Sequence, residues 1–248
     1  MPLRGHEKPL SAAKDRMSHP KIWTIGFDAD DTLWQNEQFF RMTQARFAAL
    51  LADYADPVHL DQRLLAAERR NLGHYGFGVK GFVLSMIEVA IEVTDATVPA
   101  PVIAELIDAG RDMLRHPIEL LPGAMEAVEA LAGRADLVLI TKGDLLDQER
   151  KLAQSGLGEM FSAVEIVSDK TPATYARIFA RHNTPQALMV GNSLKSDVIP
   201  ALVSGHWGVH VPHRLTWALE HAHPPRAHPK FREIASLGEL PGLIDQLG

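Results

Sequence analysis

Apolar residues along this 248-residue chain follow two different rhythms. The first is a set of short continuous runs: Ile22-Trp23-Thr24-Ile25-Gly26, Leu137-Val138-Leu139-Ile140, Val164-Glu165-Ile166-Val167, Ala187-Leu188-Met189-Val190 and Trp207-Gly208-Val209-His210-Val211. Each is too short for a helix and rich in β-formers, which predicts strands covered on both faces. The second rhythm fills the stretch from about Asn36 to Pro117, where no convincing strand occurs. There Phe39-Phe40, Thr43, Phe47, Leu50-Leu51 and Tyr54 recur at helical spacing, and Leu60, Leu64-Leu65 and Glu68 continue in a second helix. Val79, Phe82, Val83, Met86, Ala90 and Val93 give a third amphipathic helix, and Ile103 to Leu114 a fourth. Pro99 and Pro101 break the chain before the fourth, and His116-Pro117 after it.

Between the later strands the breaks predict helices. Asp144 is a candidate N-cap for a helix over 145–155, with Gly156 as its stop. Thr171-Pro172 reads as cap plus first helical position of a helix to about His182. A further helix ends near Gly205. Strands alternating with helices at this spacing imply a parallel sheet. The expected fold is therefore α/β: a Rossmann-like parallel sheet sandwiched by helices and interrupted by an all-helical insertion. The core takes residues 21–35 and 118–248, the insertion 36–117, and residues 1–20 a flexible extension in which Met17 is an alternative start.

Composition narrows the function classes more than the fold. At 46% hydrophobic and 23% charged the chain is ordinary for a globular protein. Its net charge of -6 gives no support for nucleic-acid or membrane-surface binding. It contains no cysteine, so disulfides and thiolate metal sites are excluded. No run suits a signal peptide or a membrane span. These features fit a cytoplasmic protein.

The candidate chemistry lies at the strand ends. Asp28 and Asp30 follow the first strand in Phe27-Asp28-Ala29-Asp30-Asp31-Thr32-Leu33. Folding does not require carboxylates so close together, because like charges repel. A cation that neutralises them and a reaction that uses one of them would account for the pair. The second strand ends at Thr141-Lys142-Gly143-Asp144, Asp169-Lys170 follows the third, and Gly191-Asn192-Ser193 with Asp197 follows the fourth. Ligands of open α/β sheets bind at the carboxyl ends of strands. Acids, a hydroxyl and an amine converging there describe phosphoryl transfer, where positioning and charge neutralisation supply most of the catalysis.

In this ordered set the chain resembles the haloacid dehalogenase superfamily, most of whose members are phosphatases. Asp28-Ala29-Asp30-Asp31-Thr32 matches the first motif, Thr141 the second, Lys170 the third, and Gly191 through Asp197 the fourth. The helical insertion resembles that family's type I cap. The resemblance covers residues 21 to about 215. It implies that Asp28 is the nucleophile of an aspartyl-phosphate and that Asp30 protonates the leaving oxygen, then activates water. It further implies that Thr141 binds a phosphate oxygen, that Lys170 offsets charge, and that backbone N–H groups near Ala29 and Lys142 assist. Mg²⁺ would be held by Asp28, the Asp30 carbonyl, Asn192 and Asp197. Asn192 departs from the family's usual aspartate: an amide oxygen ligates without bringing charge.

Other readings stay open at this point. The Lys142 side chain reaches either phosphate or solvent. The loop Gly73-His74-Tyr75-Gly76-Phe77-Gly78, continued by Val79-Lys80-Gly81, either carries Tyr75 and Lys80 over the site for substrate recognition or simply joins two helices. Trp23 and Trp34 read as packing residues, and Glu88 and Glu92 as a solvated helix face. Histidines 206, 210, 213, 221, 223 and 228 match no metal-ligand spacing. The expected activity is a Mg²⁺-dependent phosphatase acting on a small phosphorylated metabolite. The alternatives are a 2-haloacid dehalogenase, a phosphomutase, or a binding module without turnover; a phospho-accepting receiver domain is disfavoured by motif order.

Overall fold

The computed structural model describes residues 23–247; the N-terminal extension expected over 1–20 lies outside them. Six parallel strands form one sheet: β1 (Trp23–Phe27), β2 (Asp136–Lys142), β3 (Ala163–Val167), β4 (Gln186–Gly191), β5 (Trp207–His210) and β6 (Phe231–Glu233). Their order is β3-β2-β1-β4-β5-β6. The direction of winding reverses at β1, so its carboxyl end opens the crevice in which α/β sheets hold ligands. β1 is wholly buried, with Phe27 paired to Leu139 on one side and Val190 on the other.

The helices α1 (Glu37–Leu50), α2 (Pro57–Tyr75), α3 (Val79–Val93) and α4 (Ala100–Arg115) fall between β1 and β2. They bury their own apolar cluster, centred on Phe47, Leu64, Met86 and Leu106, separate from the clusters on the sheet. After them come α5 (Ala124–Ala132), α6 (Leu145–Ser155), α7 (Pro172–Phe179), α8 (Ile199–Val203) and α9 (Leu240–Leu247). One sheet face carries Ile25, Phe27, Leu137 and Leu188 against α5 and α9. The other carries Val138, Ile140 and Met189 against α7. A doubly covered sheet is why the strands read as continuous apolar runs rather than alternating ones.

The structure adjusts several expected boundaries. β1 extends one residue beyond the end of the run, to Phe27, and the Asp28 N–H still bonds the Val190 carbonyl at 2.9 Å. The glycine-rich loop is shorter than expected. α2 continues through Gly73 and His74 and stops at Gly76, whose φ of 73° suits a residue without a side chain. The helix from Thr171 ends at Phe179 rather than near His182. The segment before Gly205 is a wide turn over Leu194–Val198 followed by α8. Asp144 caps α6 as expected, accepting the Asp147 N–H at 3.3 Å. No helix of the described residues is long and apolar enough to cross a membrane.

Ile25 is fully buried in β1 between two paired strands. Ile25→Ala is expected to destabilise the protein by about 2–5 kcal/mol, read as a lower urea midpoint at unchanged slope.

Candidate active site

Asp28 leaves β1 at the sheet's carboxyl edge and meets Lys170 from the loop after β3. The Lys170 Nζ lies 2.5 Å from Asp28 Oδ1 and 2.7 Å from Asp197 Oδ1. All three side chains are almost wholly removed from water. Burial raises the Asp28 pKa to about 7, helped by the charge of Asp197 and opposed by Lys170 and the Thr32 hydroxyl. Burial also works against the charge on Lys170, but Asp197 and Asp28 outweigh it, so that its pKa is raised. Asp197 has its second oxygen on the Ser193 N–H at 2.9 Å. Its carboxylate packs on the α-carbon of Gly191, where a methyl group would overlap it. The glycine of the fourth motif is thus required by the acid six residues later.

Thr32 joins the first and fourth motifs. Its hydroxyl donates to Asp28 Oδ2 at 2.8 Å and accepts the Asn192 N–H at 2.9 Å. The Asn192 Oδ1 is 3.4 Å from the same hydroxyl, so the amide oxygen is only weakly engaged. Asp31 is structural. It lies in the left-handed region at φ 61°, and its carboxylate accepts the N–H groups of Asn36 and Glu37. It thereby closes the start of α1, where Asn36 makes no cap of its own. Burial, with Asp30 beside it, pushes the Asp31 pKa up to about 8.

Asp30 receives donors on both oxygens. Trp34 Nε1 donates to Oδ1 at 2.7 Å, Gln148 Nε2 to Oδ2 at 2.8 Å, and Lys151 Nζ lies 3.0 and 3.2 Å from the two. Lys151 also reaches Asn36 Oδ1 at 2.9 Å, so α6 grips the carboxylate and the start of α1 together. Gln148 in turn accepts from Thr141 Oγ1 at 3.2 Å. Trp34 is buried, as expected, and also serves as this donor. Gln148 and Lys151 have no counterpart among the sequence-predicted site residues. Nothing in the pattern marked them, because α6 turns Leu145 and Leu146 outward and buries its polar face.

A cavity of about 350 Å³ joins these groups to the helical insertion. Asp28, Asp30, Thr141, Lys142, Lys170, Asn192 and Asp197 line it from the sheet, while Glu37, Arg41, Glu68 and Phe77 line it from α1, α2 and the following loop. Lys142 lines the cavity with its ammonium already engaged. Its Nζ donates to Glu220 Oε1 at 2.6 Å and Ser196 Oγ at 2.7 Å, and lies 3.9 Å over the Phe77 ring. Burial opposes the Glu220 charge, but Lys142 and the hydroxyls of Ser193 and Ser196 prevail and lower its pKa.

Two expectations need correcting. Tyr75 and Lys80 stand outside the cavity wall. The Tyr75 hydroxyl donates to Glu88 at 2.7 Å, because α2 still holds Tyr75 in helical geometry facing α3. Lys80 pairs with Asp144 at 2.7 Å, tying the insertion to the start of α6. Phe77 takes the place over the site expected of them. Glu92 is exposed as expected and Glu88 is half-buried; both pair with Arg70, and Glu92 also with Arg63. Several C-terminal histidines are individually engaged: His210 with Glu233 and the Asn192 carbonyl, His213 with the Leu215 carbonyl, His221 with the Thr216 carbonyl, His228 with the Lys230 N–H.

A family model for haloacid dehalogenase-like hydrolases matches residues 22–205, a span holding all four motifs. The chain belongs to this hydrolase family. It is 43% identical to a crystal structure of a haloacid dehalogenase-like family hydrolase from Xanthomonas campestris, covering 92% of each chain with a TM-score of 0.81. The same fold appears in a putative hydrolase, YfnB, from Bacillus subtilis bound to magnesium, at 18% identity and TM-score 0.62 over 91% of this chain and 99% of that one. It appears also in a 2-haloacid dehalogenase from Pseudomonas syringae, at 20% identity and TM-score 0.56 over 92% of this chain and 100% of that one. No curated protein matches the sequence.

Lys170→Met would leave Asp28 and Asp197 buried without their shared cation. The expected loss is about 3–5 kcal/mol of stability, measured by urea unfolding beside the wild type.

Proposed function

We propose that this hydrolase is a Mg²⁺-dependent phosphatase that cleaves a small phosphate monoester through an aspartyl-phosphate on Asp28. The observation that carries the reading is Asp30. A dehalogenase needs no acid for its leaving group, whereas an alkoxide leaving from phosphorus does. Here a second carboxylate lines the same cavity as the nucleophile and is oriented by three donors. In the first step an Asp28 oxygen attacks phosphorus, the ester P–O bond breaks, and the departing oxygen takes the Asp30 proton. In the second step Asp30 removes a proton from water as that water attacks phosphorus. Phosphate leaves and Asp28 is regenerated.

The charge of the site fits a divalent cation. Among the described residues, nine carboxylates and four cationic side chains line the cavity, and each of these cations is already paired with a carboxylate. A phosphate dianion entering such a wall needs further positive charge. Mg²⁺ takes hard oxygen ligands and keeps several waters. Asp28, the Asp30 carbonyl and the weakly engaged Asn192 amide oxygen would hold it, with the almost wholly buried Asp197 acting through water. When bound, the ion neutralises phosphate charge and aligns the group for attack. Lys170 shares that neutralisation, Thr141 offers its hydroxyl, and the insertion acts as a cap that keeps water out.

Asp28→Asn is expected to lower phosphate release by about 10³-fold or more while the unfolding midpoint stays near wild type. Release from p-nitrophenyl phosphate and small phosphate esters, with Mg²⁺ and with EDTA, is the measurement. Near-wild-type turnover by the variant, or turnover indifferent to EDTA, overturns the mechanism. Asn192→Asp adds an anionic ligand without changing shape. It is expected to lower the Mg²⁺ concentration giving half-maximal activity by about tenfold, because ligand charge tunes affinity for hard cations.

A further inference from the structure

Among the described cavity-lining carboxylates, Glu68 stands out as having neither an ion pair nor a short hydrogen bond. Glu68 projects from α2 into the chamber, and its one hydrogen bond is a long one, 3.4 Å from Trp217 Nε1. Trp217 belongs to the loop after β5 and stands edge-on to Phe77, with 6.2 Å between ring centroids. Glu68 therefore sits where the insertion meets the sheet domain, beside an aromatic wall. Burial raises its pKa to about 7, with Glu37 adding to the rise and Arg41 opposing it. Arg41 is the cation of that wall, but Glu37 already takes its Nε at 2.8 Å. Among the described residues the core side offers no spare cation either: Lys142 is held by Glu220, Lys151 by Asp30 and Asp147, and Lys170 by Asp28 and Asp197.

We propose that Glu68 is a specificity-determining residue that accepts a hydrogen bond from a hydroxyl or ammonium group on the organic part of the substrate, and that it excludes esters whose organic part carries a carboxylate. The inference rests on the phosphatase reading and sharpens it. Glu68 is a half-buried acceptor with only a long hydrogen bond, and it favours a ligand that brings a donor, because a ligand without one would strip water from the carboxylate and replace it with nothing. An incoming carboxylate would face Glu68 and Glu37 with no free cation to meet it, and like charges at short range in a partly dehydrated wall repel strongly. The aromatic edges of Phe77 and Trp217 would cover the carbon chain between the two polar ends.

The test compares three esters of similar size: 2-hydroxyethyl, 2-aminoethyl and carboxymethyl phosphate. Their kcat/KM values are measured with Mg²⁺ for wild type, Glu68→Gln and Glu68→Lys. Wild type is expected to favour the hydroxyl and amine esters over the carboxylate by about tenfold or more. Glu68→Gln should shrink that ratio, most of all for the amine, and Glu68→Lys should invert it toward the carboxylate. A merely structural Glu68 would lower all three esters by the same factor, and an unchanged ratio overturns the proposal. So does a wild-type preference for the carboxylate. Failure of the phosphatase reading shows itself differently, as no release from any ester, p-nitrophenyl phosphate included. Calorimetric binding of the same three esters then decides the Glu68 question alone: tighter binding of the donor-bearing esters, lost in Glu68→Gln, upholds it, and equal or tighter binding of the carboxylate ester overturns it.

Discussion

Lys170 lies between Asp28 and Asp197 with almost no access to water, and the rest of the site is arranged around that contact. Two buried carboxylates so close together would repel each other and both lack solvation. One lysine relieves both, and it can do so only because three strand ends bring the residues together. β1 delivers Asp28, the loop after β3 delivers Lys170, and the turn after β4 delivers Asp197. Gly191 must then lack a side chain, since the Asp197 carboxylate occupies that space. Thr32 closes the arrangement by bonding Asp28 and the backbone of Asn192 together. The Asp28 carboxylate is consequently held in place, its acidity raised by burial and its orientation set by two donors.

A second set of contacts determines where the helical insertion lies over this centre. Lys80 pairs with Asp144, Glu68 meets Trp217, and Phe77 packs against both Trp217 and the Lys142 ammonium. Lys151 adds a link at the base of the insertion by holding Asp30 and Asn36 together. Exposed ion pairs such as Lys80–Asp144 are individually weak in water. The insertion also buries its own apolar cluster, so few contacts bind it to the sheet.

Much of this was readable from the residue pattern. Continuous apolar runs announced β1 through β5, since strands covered on both faces have no polar side to show. Asp144, Gly156 and Thr171-Pro172 marked helix ends through chemistry local to the chain. β6 was missed because Phe231-Arg232-Glu233 is short, charged and at the sheet edge, where pairing needs only β5 beside it. Tyr75 and Lys80 were misplaced because Gly73 looked like the start of a loop. In the structure it is simply an exposed helical position with nothing packed against it. Gln148, Lys151 and Glu220 left no signal, since a polar side chain facing a cavity and one facing water are alike in one dimension.

The sequence by itself determined the parallel sheet, the helical insertion and the order of the four motifs. Each of these depends on apolar periodicity, on cap and stop residues, or on spacing from a strand end, and all are short-range properties of a chain. Only the tertiary structure decided which charges meet. It alone showed that Lys170 serves two acids, that three donors orient Asp30, and that Asp31 caps α1 rather than joining the chemistry. It alone left Glu68 facing the cavity with a single long hydrogen bond. The physical reason is distance: Coulombic and hydrogen-bond energies depend on separations of a few ångströms between residues as many as 160 positions apart, and the folded sheet sets those separations.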